Sequence, residues 1–273
     1  GHWEEAAAKL EEAVAEDSTF ALAWSALAYA YGWMPDPRES EAQRQALLHS
    51  DDLPWRAKTL IQAANFGFRT GDGERAMNLY RSILADYPHD TEALRGMGET
   101  MFHYNPRFGA PHSDADTYFE RALELSPNNV DYLVHLFDGA MDDWDFDRAD
   151  STAALIDSLA QRQDVHEYFE HARGVWNRSR GDSSWSISDQ GTMNTHFTNT
   201  VFKNAATRME DLEAAEQVAR MMVEPGRYPE NDRNRMLFNT ALLRTAQGRF
   251  SDFSTEAKQA GTRYIGRTII SRS

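Results

Sequence analysis

The sequence predicts an all-α solenoid of stacked antiparallel helix pairs. Three sets of residues carry that expectation by moving along the chain in step. Ala6, Ala42, Ala76 and Ala115 are each followed twelve residues later by Ser18, Pro54, Pro88 and Pro127, and six further on by Trp24, Leu60, Leu94 and Leu133. All three sets advance by 36, 34 and 39 residues. A period near 34 describes small units that each bury an apolar face on the next. Weaker copies continue the series, with Ala149 lying 34 beyond Ala115 and Tyr168 lying 35 beyond Leu133.

Residues 1–18 read as the second helix of a unit whose first helix is missing, so a segment of a longer protein is expected. The next helix carries Trp24, Leu27, Ala28 and Tyr31 at i, i+3, i+4 and i+7, one stripe of a 3.6-residue period. Leu94, Met97, Gly98 and Met101 repeat the spacing, as do Leu133, Leu136, Phe137 and Ala140. Small residues at Ala28, Ala64 and Gly98 let a neighbouring helix approach closely. Second helices carry Ala76, Tyr80 and Ile83, then Ala115, Phe119 and Ala122. A Gly71-Asp72 turn joins one pair and an unusual Trp144-Asp145 another. Pro54, Pro88 and Pro127 follow second helices, where a residue unable to continue the helix belongs.

Two connections, 32–41 and 104–114, carry prolines and are expected as long loops that break the helical period. The expected organisation is a repeat array over 1–180, a Ser/Gly/Asp-rich linker or kink over 181–192, degenerate helix pairs over 193–261 and a frayed tail over 262–273. In the third segment, Asp211, Leu212, Ala215 and Ala219, then Gly248, Phe250, Phe253 and Ala257, imitate second helices.

Composition narrows function by exclusion. The 273 residues hold 28 Lys+Arg against 43 Asp+Glu, a formal charge of −15. An acidic chain lacks the basic footprint of a general nucleic-acid binder and is repelled by an anionic membrane. No apolar run reaches the ~18 residues of a membrane span, so no membrane insertion is expected in this segment. Cysteine is absent, which removes disulfides, thiol catalysis and cysteine-ligated zinc. It does not fix the compartment, where the cytoplasm is slightly favoured.

Short motifs add no chemistry. His166 and His171 stand at i and i+5, not the i and i+4 that turns two imidazoles toward one zinc ion. Asp143, Asp145 and Asp147 alternate like calcium ligands, but Arg148 and Ala154 occupy the glycine and glutamate positions of such a loop. Asp145 reads instead as a helix cap. Gly71-Asp72-Gly73 lacks the strand that a dinucleotide loop needs. The strings RGDS at 180–183 and NRS at 177–179 mark only exposure. No nucleophile elbow, P-loop or kinase loop is present. Neither enzymatic activity, a cofactor nor a metal is expected.

The repeat anchors resemble the tetratricopeptide repeat family, strongly over 1–156, and the resemblance implies a right-handed superhelix. It also implies that first helices line a concave face where peptides lie. Positions on that face hold Lys58, Asn65 and Arg69, then Arg95, Glu99, Phe102 and His103, then Asp131, Asp138 and Asp142, and later His166, Arg173, Trp176 and Asn177. Family members that clamp a terminal carboxylate use Lys, Asn and Arg there. Lys58, Arg69 and Arg95 thus form the candidate positive cluster, although Glu99 intrudes and an ordinary solvated helix face is the competing reading. Residues 20–24, 53–56 and 98–103, with Phe250, look like repeat regions attached to bacterial serine/threonine kinases, cyclases or transcriptional regulators. That implies a protein or peptide partner and a kinase, cyclase or regulator domain in cis. The two rival readings are a dimerising or inhibitory module acting on that domain, and an enzyme site near 181–192 and Trp185.

Overall fold

The computed structural model describes residues 3–34, 36–159, 163–182 and 211–223, with positions 184, 201–202, 205–206, 233, 236–237 and 239–240. All regular structure among them is helical. The chain forms two compact units, 1–152 and 153–273. The sequence places its break at 181–192 instead. A solenoid has no single core, so few contacts are cut at any junction between pairs. Most of 181–192, and all of 262–273, lie outside the described residues.

The first unit begins with α1 (Trp3–Glu16), α2 (Ala21–Trp33), α3 (Glu39–Leu48) and α4 (Trp55–Ala64). It continues through α5 (Gly73–Asp86), α6 (Thr91–Tyr104), α7 (Asp116–Leu125) and α8 (Val130–Asp142). Helix α9 (Phe146–Leu159) follows. From α1 to α8 each helix packs on its sequence neighbours, and the turns between them make those neighbours antiparallel. The expected solenoid of helix pairs holds.

Capping side chains set the helix starts. Asp72 accepts from Arg75 N, Asp90 from Ala93 N, Asn129 from Asp131 N and Tyr132 N, and Asp145 from Arg148 N. Each satisfies an amide that the first turn leaves without an intrahelical partner. The Asp145 cap is the role its sequence position predicts.

Three stretches depart from expectation. The loop drawn over 32–41 shrinks, because α2 runs through Trp33 and α3 begins at Glu39. The 104–114 stretch is ordered as two 3₁₀ turns, Asn105–Phe108 and His112–Ala115, around Gly109 at φ 79°. Helix α4 does not keep regular α geometry through Arg69 but widens into a π turn over Asn65–Thr70, which ends at Gly71 with φ 71°.

Packing is local to adjacent pairs. Ala7, Leu27, Ala30 and Tyr31 join α1 to α2, while Tyr80, Ile83, Ala93 and Met97 join α5 to α6. Leu94, Phe119, Ala122 and Tyr132 then bring α6, α7 and α8 together. Two glycines let α6 sit this close. A Cβ on Gly96 would lie 2.3 Å from the Tyr80 ring, and one on Gly98 would lie 2.9 Å from Phe119.

Ion pairs and a side-chain hydrogen bond at about one-repeat separation fasten successive pairs. Arg56 bonds Asp90, the α6 cap, and reaches Glu92 at 2.7 Å. Arg148 reaches Asp116 at 2.6 Å, and Arg121 donates to the Pro88 carbonyl at 2.6 Å. In the second unit, α10 (Gln163–Ser179) and α11 (Leu212–Val223) are linked in the same way. There Arg178 holds Asp211 at 2.5 Å and Glu213 at 3.2 Å while Asp211 accepts from Ala214 N.

Trp144, at φ 55°, is the one described non-glycine residue in the left-handed region. Its N–H bonds the Met141 carbonyl and the next N–H bonds Ala140, the paired bonds that close a helix C-terminus. An L side chain there costs about 1 kcal/mol. Trp144→Gly is therefore expected to raise the unfolding free energy by up to about 1 kcal/mol in urea denaturation, and Trp144→Ile to lower it.

Asp116 is buried, and one of its oxygens has no hydrogen-bond partner. Burial pushes its pKa up to about 6, aided by Glu120 and Asp143 and opposed by Arg148. The folded state thus holds this proton more tightly than the unfolded state does. The resulting stability is full below about pH 3.8 and is lost as pH rises through 6. Asp116→Asn is expected to gain about 2 kcal/mol relative to wild type between pH 4.5 and 7.5, measured by urea denaturation at both.

Candidate functional site

Helix α6 has two sides. With ~100° between successive residues, Ala93, Leu94, Gly96, Met97, Gly98 and Met101 share one arc. That arc meets α5 and α7. Arg95, Glu99, Phe102 and His103 occupy the remaining arc. On α8, Asp131, His135, Asp138 and Asp142 recur at i, i+4, i+7 and i+11, and so also share a face. The two faces meet through Glu99.

Glu99 is buried and lies 3.5 Å from His103 Nε2 on its own helix and 3.4 Å from His135 Nε2 on α8. His135 is also buried, and its Nδ1 sits 2.7 Å from the Asp131 carbonyl. That acceptor requires a proton on Nδ1 and leaves Nε2 facing the carboxylate. Burial disfavours charge on both groups, yet mutual attraction wins. Glu99 is held well below the ordinary carboxylate range by His135 and His103. His135 is raised to about 9, chiefly by the Glu99 charge and hydrogen bond.

Aromatic rings pack against these groups and hold the His135 ring between them. Phe102 contacts His103, His112 and His135 with ring centroids 5.2, 4.6 and 4.8 Å away. Phe119 stacks on His135 from the other side at 4.6 Å. His112, delivered by the second 3₁₀ turn, pairs with Asp142 at 2.5 Å. A second imidazole–carboxylate pair therefore adjoins the first.

Arg95 lies one turn before Glu99, its guanidinium 4.6 Å from the centre of the Tyr29 ring. Burial works against its charge, but Tyr29, Glu99, Tyr80 and Tyr132 outweigh that and raise its pKa. Its Nη1 is buried without a hydrogen-bond acceptor among the described residues. Trp3 stacks on Trp33 at 5.5 Å, and Tyr29 packs edge-on to both.

The structure brings four of the nine expected residues together: Arg95, Glu99, Phe102 and His103. Of the other five, Lys58 and Asn65 lie on α4 and its π turn, and Arg173 and Trp176 belong to the second unit. Lys58 spends its ammonium on Asp51 at 2.6 Å, and Asn65 is buried at the start of the π turn. The Arg69 side chain lies outside the described residues, so the expected cluster of Lys58, Arg69 and Arg95 is not assembled from them. In the second unit, Arg173 pairs with Asp157 at 2.5 Å. Trp176 corrects its expectation outright: it is fully buried, a core ring with no face left for a ligand.

Sequence reasoning missed His135, His112 and Tyr29. His135 was within reach, standing four residues after Asp131 on a stripe already singled out. His112 was not, because its position depends on the 3₁₀ turns.

Fold and site together define an α-helical repeat protein with a polar, histidine-bearing face on its first helices. Neither a protein-family model nor a curated protein matches the chain. Among solved structures, the human IFIT1 dimer with PPP-AAAA is 14% identical at a TM-score of 0.48. The same protein with m7Gppp-AAAA is 13% identical at 0.49. Each match covers 92% of this chain, which spans little more than half of those chains, 57% and 56%. Pseudomonas aeruginosa pilF is 18% identical at a TM-score of 0.40, over 83% of this chain and 86% of its own. Scores at this level say nothing of ligands, and the helix-pair architecture rests on the chain's own geometry.

Phe102 is buried among three imidazoles, so its removal opens a cavity where they are positioned. Phe102→Ala is expected to cost about 3 kcal/mol in urea denaturation, with Phe102→Leu costing less than half as much.

Proposed function

We propose that this chain is a non-enzymatic interaction scaffold that binds a peptide or partner protein along the face shared by α6 and α8. The observation that carries the reading is Arg95, a charged donor with a buried Nη1 and no acceptor for it among the described residues. A buried donor without a partner costs about 1–3 kcal/mol, which a bound carboxylate recovers through a charge-assisted bond. Tyr29 and the neighbouring Trp3–Trp33 stack supply an aromatic surface beside it for an apolar side chain. His103, exposed on the same face, adds a hydrogen-bonding group. The ligand chemistry this favours is an extended peptide with a carboxylate, terminal or acidic, placed against Arg95. The wider reading is the docking part of a larger bacterial signalling protein with its output domain in cis. It rests on the resemblance of the repeats and is tested by reading the parent open frame.

The direct test is a peptide array in which each sequence appears with a free and an amidated C-terminus, probed with wild-type and Arg95→Gln protein. Binders are expected to weaken roughly 10-fold or more with Arg95→Gln, consistent with loss of one charge-assisted hydrogen bond. Those that present a terminal carboxylate should lose a similar factor on amidation. Equal binding by the two proteins across the array contradicts the reading.

A further inference from the structure

We infer that Glu99, His103 and His135 form a binding site for a divalent transition-metal ion of the zinc class. Their ligand atoms all lie within 4.8 Å of one another. A tetrahedral ion bound at ~2.0–2.1 Å holds its ligands about 3.4 Å apart. Glu99 Oε2 already stands 3.4 Å from His135 Nε2 and 3.5 Å from His103 Nε2. Only the third edge must close, and His103, exposed on the α6 surface, is the member free to turn.

The surroundings are those of a ligand set. His135 gives its Nδ1 proton to the Asp131 carbonyl, the outer hydrogen bond that aims Nε2 of a metal-ligating histidine. Phe119 stacks on the same ring and Phe102 packs edge-on to it, which fixes its plane. Two imidazoles and one carboxylate select zinc-class ions over calcium and magnesium, which require mostly oxygen ligands. Spacing makes the set buildable: Glu99 and His103 stand at i and i+4 on α6, and α8 supplies the third ligand. Three protein ligands leave a fourth position open, on the side of the exposed His103. Water would take that position in the free protein.

The competing use of these groups is the ion-paired cluster alone, Glu99 between His103 and His135. Binding and identity of the ion separate the two. Isothermal titration of metal-free protein with Zn²⁺ is expected to show one tight site per chain, with Co²⁺ giving the intense visible bands of tetrahedral coordination. His103→Ala changes an exposed position and keeps the fold. It is expected to weaken Zn²⁺ binding at least roughly 10-fold and to abolish the Co²⁺ bands. Glu99→Gln should do the same, with circular dichroism confirming that it folds, while His89→Ala, off the cluster, should change neither. The site is overturned if wild-type protein binds no Zn²⁺ at millimolar concentration. It is equally overturned if His103→Ala keeps wild-type affinity and the tetrahedral spectrum. Both readouts use the chain alone, so they stand or fall separately from peptide binding.

Discussion

The organisation of the first unit depends on how closely α6 is held. Tyr80 from α5 and Phe119 from α7 press their rings against Gly96 and Gly98, where any Cβ would sit well inside contact distance. Glycine in a helix interior costs about 1 kcal/mol of propensity, so two of them within three residues need a packing reason. The two ring contacts are that reason. With one arc of α6 committed to neighbours, only the arc bearing Arg95, Glu99, Phe102 and His103 remains for other work.

That commitment links packing to chemistry. Holding α6 close to α7 brings α8 within reach, and His135 then meets Glu99 at 3.4 Å. Two buried ionisable groups are tolerated there because each answers the other, with Asp131 and His103 taking up the remaining valences. Arg95 is the exception on the face, a buried donor still short of an acceptor, and for that reason it is where an external anion is expected. The inter-repeat pairs, Arg56 with Asp90 and Arg148 with Asp116, hold the register in which these positions coincide.

Most of the fold was legible because it is local. Apolar stripes such as Leu94, Met97 and Met101, the Asp72 and Asp145 caps, and the small residue at Gly98 all act within or between adjacent helices. The one-dimensional order of a repeat therefore carries them. The π turn at 65–70 was not legible, since no residue pattern in the sequence marks a switch from i→i+4 to i→i+5 bonding. The loop over 32–41 was drawn too long because proline marks a boundary without saying how near it the helices resume. On the site, four residues of α6 were found from one helix face. Lys58 was misjudged because its partner, Asp51, lies in the turn before α4, where a helix-face reading does not look. Trp176 was misjudged because periodicity assigns a residue to a stripe but does not say which stripe is covered.

The close approach of α6 is tested most directly by a double-mutant cycle between Gly96 and Tyr80. Gly96→Ala in the wild-type background is expected to destabilise the protein by about 1–3 kcal/mol, because the methyl group collides with the Tyr80 ring. In a Tyr80→Leu background the collision is gone, and the same substitution should become stabilising by up to about 1 kcal/mol through helix propensity. A change of sign between backgrounds, measured by urea denaturation, is the predicted result. If the two substitutions instead add to within about 0.5 kcal/mol, the ring and the glycine do not touch, and the packing that positions the α6 face is wrong.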